Sequence, residues 1–326
     1  MVSRFFKKNS RSFTTLVALL IIVVVFSILS PRYFQYDNLI DIINQGVVNG
    51  FLAIGITVAI ITGGIDLSVG STMAVVIVGC AELSAHQVPV VIVVVLGLLM
   101  GVAIGLINGF LITKMKLQPF IATLGTNQIF RGLAYVISNG EPVLNIQGQF
   151  RKTFQEQIVR GVRFNMIYLL LLAVIFAVIL SKRRAGVYIY AIGANESAAK
   201  MSGINVDRYK MIAYIMCSIG AAMAGMVTLA RLGTGEPTAG EGFETMAIAA
   251  AAIGGTSLAG GKGKILGTVL GAFTISALKI GLIVIRLDTF YQFIAIGLII
   301  ILATYLDTLQ AIIVEKLAKR KKSHKP

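Results

Sequence analysis

Long apolar runs with at most one charged residue each, separated by short polar intervals, recur along the whole chain, and most of the runs have nearly one length. Phe13 to Leu29, Leu39 to Thr62, Ser68 to Ala85, Val88 to Thr113 and Pro119 to Ser138 form a first set. Asn165 to Leu180, Tyr209 to Ala230, Phe243 to Gly260, Ile265 to Ile285 and Thr289 to Leu309 form a second. A hydrocarbon core about 30 Å thick needs roughly 20 apolar residues as a helix, and lipid leaves no unpaired backbone polar group a partner. The pattern therefore predicts an all-α integral membrane protein of about ten transmembrane helices. It is one membrane domain over residues 1–326, with no room for a soluble catalytic unit.

Two polar intervals stand apart. Gly140 to Phe164 is the longest on its side of the membrane. Ser181 to Lys210 is the longest basic and polar interval, and its middle predicts a short helix: Asn195 can cap the first turn, Glu196 suits the positive end of the helix dipole, Lys200 suits the last turn and Gly203 can close in the left-handed conformation. The helix would be about two turns, or roughly 10 Å, long. Ala198 and Ala199 leave one side almost bare, so a second surface can approach the backbone. An ordinary capped loop helix explains the same pattern.

Composition agrees: of 326 residues, 56% are hydrophobic and 13% charged, with a mean hydropathy of +0.86, beyond what one soluble core can bury. Cys80 and Cys217 fall in separate apolar runs and suggest neither a disulfide framework nor a metal cluster. The net charge of +15 follows topology. With both termini on one side, 20 of the 29 basic residues collect there, including Arg4 to Arg11, Lys114, Lys116, Lys182 to Arg184, Lys262, Lys264 and six in the tail from Glu315. Excess Lys and Arg marks the cytoplasmic face. The cytoplasmic parts are then residues 1–12, 181–210 and 315–326, and the charge is not a nucleic-acid footprint.

Polar groups at membrane depth are costly and mark candidate sites. Asn44, Asn49, Asn127 and Arg131 are such groups, with Asn127 and Arg131 on one helical face; Asn108 and Lys279 are others. Amides and hydroxyls would suffice for a neutral polar solute, although asparagines also join helices and long cations also snorkel or pair. In the loop Gly63 to Ser71, Asp66 either caps the next helix or contacts solute. Gly46-x-x-x-Gly50, Gly101-x-x-x-Gly105-x-x-x-Gly109 and Gly267-x-x-x-Gly271 put bare backbone on single faces, for close packing or for sliding. Outside, Glu141, Glu236 and Glu241 are either solvated acids or contacts for an external partner protein.

At RRAGVYIYA and GANESAAKMSGI the chain resembles the coupling segment of permease subunits of ribose-type ATP-binding-cassette (ABC) sugar importers. GGIDLSVGS, Gly63 to Ser71, and GGTSLAGGKGK, Gly254 to Lys264, resemble that family's two Gly-rich segments. The resemblance implies that Gly193, Asn195, Glu196, Ala198, Ala199 and Gly203 form a docking face for a separate ATPase subunit. It also implies an external sugar-binding protein and a second permease copy, identical or paralogous. Gly254 to Lys264 is not a phosphate loop, because Thr256 and Gly263 break the required spacing; no cofactor is expected on this chain, and ATP would be used by the partner.

Weak matches between the halves, Gly63-Gly64 with Gly254-Gly255, the Gly101 pair with the Gly267 pair, and Lys116 onward with Arg286 onward, suggest five-helix inverted repeats. An ion-coupled secondary transporter would normally place acids at midplane, and the carboxylates here lie mostly in loops or at span ends. A membrane enzyme would need a nucleophile or metal constellation that His86 and His324 cannot supply. Ribose leads the solutes implied by resemblance, ahead of other monosaccharides, inositol, a signalling furanosyl compound and nucleosides.

Overall fold

A computed structural model of the protein describes residues 10–159, 161–288, 290–292, 294–298, 301 and 305. The N-terminal basic run, the basic tail and most of the predicted tenth span, Thr289 to Leu309, lie outside these residues.

Among the described residues, twelve α-helices have assigned bounds: α1 (Ser10–Leu29), α2 (Tyr36–Ile61), α3 (Val69–Ala85), α4 (Val90–Thr113), α5 (Pro119–Ile137), α6 (Gly148–Gln155), α7 (Phe164–Lys182), α8 (Arg184–Ala194), α9 (Glu196–Met201), α10 (Val206–Leu232), α11 (Phe243–Ile253) and α12 (Ile265–Val284). The apolar runs account for the first five and for α7, α10 and α12 to within a few residues. Among the described residues, α2, α4, α7, α10 and α12 are long and apolar enough to cross a membrane, while Phe13–Leu29, α3 and α11 are shorter apolar helices. α5 has the length but is interrupted by Asn127, Gln128 and Arg131.

α10 and α2 form the centre. Both are largely buried, whereas α4 and α7 turn exposed apolar faces outward. The glycine stripe of α4 makes this packing possible: a Cβ on Gly101 would lie 2.8 Å from Ala222 Cβ, and one on Gly105 would lie 2.6 Å from Ile215 Cα. Close approach of α4 to α10 is thus what these glycines provide. A polar seam joins α2 to α12, where Asn49 donates to Ser276 Oγ (2.9 Å) and Thr57 shares a 2.8 Å hydrogen bond with Thr268.

The predicted eighth span, Phe243 to Gly260, is corrected. α11 has 11 residues, about 16 Å of helix, half of what a crossing needs. The chain before it, 233–242, is irregular and re-enters the bundle along α3. Gly235 lies against Ala81 near one end of α3 and Gly240 against Gly70 near the other, positions about 16 Å apart along that helix. α11 then begins beside Lys279 of α12, and Ala249 and Ala250 pack with Ala53 of α2 and Ala272 of α12. Gly254 and Gly255 end it.

The long polar interval 140–164 also holds structure that hydropathy did not predict. α6 buries Phe150 and Phe154, and a two-stranded hairpin follows, β1 (Gln157–Val159) with β2 (Val162–Arg163). Gln147, just before α6, donates to the carbonyls of Ser84 (3.0 Å) and Val88 (2.9 Å). Tyr168 of α7 donates to Thr153 O at 3.0 Å. The interval therefore forms a cap over the ends of α3, α7 and α10.

Candidate functional site: a capped lever and a re-entrant segment

The interval Ser181 to Lys210 folds as two helices, α8 and α9, where sequence predicted one. α9 has the caps expected of it. Asn195 Oδ1 accepts from Ala198 N at 2.9 Å, and the helix closes with Gly203 at φ +80°, Gly203 N donating to Lys200 O (3.0 Å) and Ile204 N to Ala199 O (3.1 Å). These two bonds are the paired closure that a left-handed glycine permits. Glu196 is held by Lys210 at 2.6 Å; an ion pair this exposed adds at most about 1 kcal/mol.

The alanines divide. Ala198 is exposed, but Ala199 is only 5% exposed and packs with Ile192 of α8 and Val206 of α10. Ala199 thus belongs to the inner face of α9, and the docking face implied for both alanines is corrected to exclude it. Met201, passed over in the sequence, is 89% exposed and stands on the outer side with Ser197 and Ala198. A long apolar residue ending such a short run was the available signal.

α8 anchors α9. Gly193 lies so close to α2 that a Cβ there would overlap the Ile61 carbonyl and lie 2.6 Å from Gly261 N. The same Ile61 carbonyl accepts from Gly261 N at 2.9 Å, and a Cβ on Gly260 would lie 3.0 Å from Gly63. The Gly-rich segments starting at Gly63 and Gly254, 191 positions apart in sequence, therefore meet at the end of α8. Tyr190 of α8 donates to Gly263 O at 2.7 Å; burial pushes its phenol up from its ordinary value, so it stays a donor.

The membrane-depth candidates do not gather into one pocket. Asp66 is 0% exposed, its Oδ1 accepting from Ser68 N (2.9 Å) and Ser68 Oγ (2.7 Å). Asn108 donates to Ser68 Oγ (2.8 Å) and accepts from Thr126 Oγ1 (2.7 Å). The network ties α3, α4 and α5; Asp66 holds Ser68, the N-cap of α3, which itself makes no side-chain cap. Asn44 is buried, with Oδ1 lacking a partner among the described residues; Asn49 is spent partly on Ser276. Asn127 is half-buried, one turn from Arg131.

Arg131 is the exception. Its Nη1 donates to Pro237 O (2.6 Å) and Ala239 O (2.9 Å), carbonyls of the re-entrant segment. Glu241 and Glu244 are the acids in its electrostatic reach. At the other side of the half-helix, Lys279 Nζ lies 5.7 Å from the centre of the Phe243 ring, and Arg231 donates to Gln45 Oε1 at 3.3 Å. The irregular backbone is thus partly packed in protein, with Gly235, Pro237 and Gly240 buried and Thr238 and Glu241 exposed.

Short helices entered from irregular backbone inside a bundle are a recurrent feature of transporter folds. The family described as branched-chain amino acid transport system / permease component matches residues 38–304. The chain belongs to this permease family. It is therefore a multi-pass membrane protein that makes and breaks no bonds in a substrate. Among its relatives, the ribose import permease protein of Escherichia coli (strain K12) is 39% identical over 296 residues, 90% of this chain and 92% of the relative. That of Bacillus subtilis (strain 168) is 40% identical over 292 residues, 89% and 91% of the two chains. The D-allose transport system permease protein of Escherichia coli (strain K12) is 41% identical over 297 residues, 90% and 91%. No solved structure matches the chain.

Proposed function

We propose that this permease is the membrane subunit of an ABC importer for a monosaccharide, with ribose the first candidate. Identities of 39–41% to ribose and allose permeases over nearly the whole chain carry the reading. In it, an external binding protein delivers the sugar to a pathway formed by two copies of the chain. A separate ATPase subunit, which alone uses ATP, docks on Gly193 to Gly203, and its closure pushes α9. The exposed edge of the lever is Asn195, Glu196, Ala198 and Met201; Gly193, Ala199 and Gly203 hold its shape and seat. Motion passes from α8 to α2 and to the α11–α12 loop through the contacts at Ile61.

The proposed topology has ten spans with both termini in the bacterial cytoplasm, arranged as two five-helix halves of opposite orientation. Supporting it, the loop from 62 to 68 and the segment 233–242, which follow the second and seventh spans, are both irregular, and Gly240 of the latter lies against Gly70 in the first turn of α3. Asn44, Asn49, Asn127 and Arg131 stay near the pathway; Asp66 acts as a joint instead of a sugar ligand.

Co-reconstitution of the chain with its ATPase and binding protein in vesicles tests the reading. Uptake of labelled ribose that needs ATP and the binding protein is expected. Uptake driven by an ion gradient without the ATPase would overturn it.

A further inference from the structure

α5 is fastened at two levels. Near its start, Thr123 Oγ1 accepts from Leu67 N at 3.1 Å, Thr126 donates to Asn108 Oδ1 (2.7 Å), and Asn108 donates in turn to Ser68 Oγ (2.8 Å). Pro119, the first residue of the helix, stands beside Gly64, where a Cβ would lie 3.4 Å from its own. Arg131, about 12 Å beyond Thr123 along the axis, holds the carbonyls of Pro237 and Ala239. One helix therefore carries hydrogen bonds to the loop from 62 to 68 at one level and to the re-entrant segment at the other.

That loop is also the one on which α8 is seated. The Ile61 carbonyl meets Gly193, and Gly63 faces Gly260; Leu67, a few residues on, is the residue held by Thr123. α5 itself packs on one side: Ala122, Thr126, Phe130 and Ala134 are buried, whereas Ile121, Leu124, Ile129 and Leu133 are exposed. A helix keeps its length because its hydrogen bonds run along its own axis. One with an exposed flank can shift against its neighbour as a unit, the small sliding of packed helices known as shear.

We propose that α5 is the rod by which a displacement of α8 and α9 reaches the re-entrant segment, with Thr123 and Thr126 the positioning residues at one end and Arg131 at the other. α3 offers a competing line, since Gly240 lies against Gly70 in its first turn. That approach of two bare backbones resists a push, whereas the hydrogen bonds of Thr123 and Arg131 also resist a pull. The proposal rests on α9 being the element that receives the ATPase subunit; the tie between the two ends of α5 does not.

Thr123→Val keeps the shape of the side chain and removes the acceptor of Leu67 N, while Thr123→Ser keeps that acceptor. With the full chain in nanodiscs, amide exchange at 238–240, followed by mass spectrometry, should rise about threefold to tenfold in Thr123→Val, the loss of one neutral hydrogen bond. It should return to the unaltered level in Thr123→Ser. Thr126→Val, which cuts the second tie, should act alike and carries the test where Thr123→Val does not fold. In vesicles holding the ATPase and binding protein, Thr123→Val should hydrolyse ATP at the unaltered rate and move less solute per ATP. Adding it to Arg131→Ala should cost little more, since both cut one line. Exchange at 238–240 that is unchanged, or raised only as much as in the rest of the chain, would overturn the proposal. Equal loss of hydrolysis and uptake, or additive loss in the double variant, would do the same. An unaltered assembly that moves no monosaccharide would count against the proposed importer function alone, and exchange at 238–240 would still decide whether α5 links its two ends.

Discussion

The guanidinium of Arg131 is joined to the backbone carbonyl of Pro237 by a 2.6 Å hydrogen bond, and to that of Ala239 by a second at 2.9 Å. A planar cation with several donors can hold two carbonyls of an irregular segment at once, which an ammonium does less well. Arg131→Ala leaves both carbonyls without this donor, at about 1.5–3 kcal/mol for each hydrogen bond to a charged group. We expect ATP-driven uptake to fall by more than about tenfold on that scale, with new protease cleavage in 233–242 and partial recovery in Arg131→Lys. A raised KM with unchanged protease resistance would instead mark Arg131 as a solute ligand.

Ala198 and Ala199 separate docking from folding. Ala198→Glu changes an exposed position, so the chain should keep its thermal stability and lose capture of the ATPase subunit in a pull-down. Ala199→Leu overfills the space beside Ile192 and Val206, and a loss of about 1–3 kcal/mol in stability is expected from overpacking. Met201→Ser should weaken capture with little change in melting temperature. Equal behaviour of the Ala198 and Ala199 variants would show that the two faces of α9 are not distinct.

Gly193 and Gly203 are required for different reasons, and alanine tells them apart. At Gly203 the cost is conformational, about 1–2 kcal/mol for a left-handed residue with a Cβ. At Gly193 the new methyl meets the Ile61 carbonyl, which cannot move without giving up its bond from Gly261. Gly193→Ala is therefore the more damaging, and Gly193→Ser no better. Amide exchange at Gly261, measured by mass spectrometry, should accelerate in Gly193→Ala and stay unchanged in Gly203→Ala.

Asp66→Ala strands the N–H and hydroxyl of Ser68 and loosens Asn108, with an expected cost of about 1–3 kcal/mol from unsatisfied buried groups. Thermal unfolding reports it. Uptake per folded molecule should keep its KM, since Asp66 is sealed from any passage. A shifted KM would restore Asp66 as a contact for solute.

The helices α2, α3, α4 and α12 were legible because an apolar run about 20 residues long has one use, and its ends are marked by Gly, Pro or Lys. α11 was not, because its alanines continue the hydropathy of a span while its break depends on where Gly240 can touch Gly70. α6 and α8 were missed since short helices lying at the boundary bury two or three residues each and leave no long run. The caps of α9 were readable, being local, but the burial of Ala199 depends on Val206 and Ile192 from other helices. Arg131 was singled out as costly at depth; its partners are backbone carbonyls, which no side-chain pattern can announce.

The inward side of α9 is built from three different helices, through Ala199, Ile192 and Val206. Anyone transplanting the exposed residues of this lever into a related permease, to change which motor it answers to, would move only half of a mortise joint. Such a chimera should work only when the residues beneath travel with it.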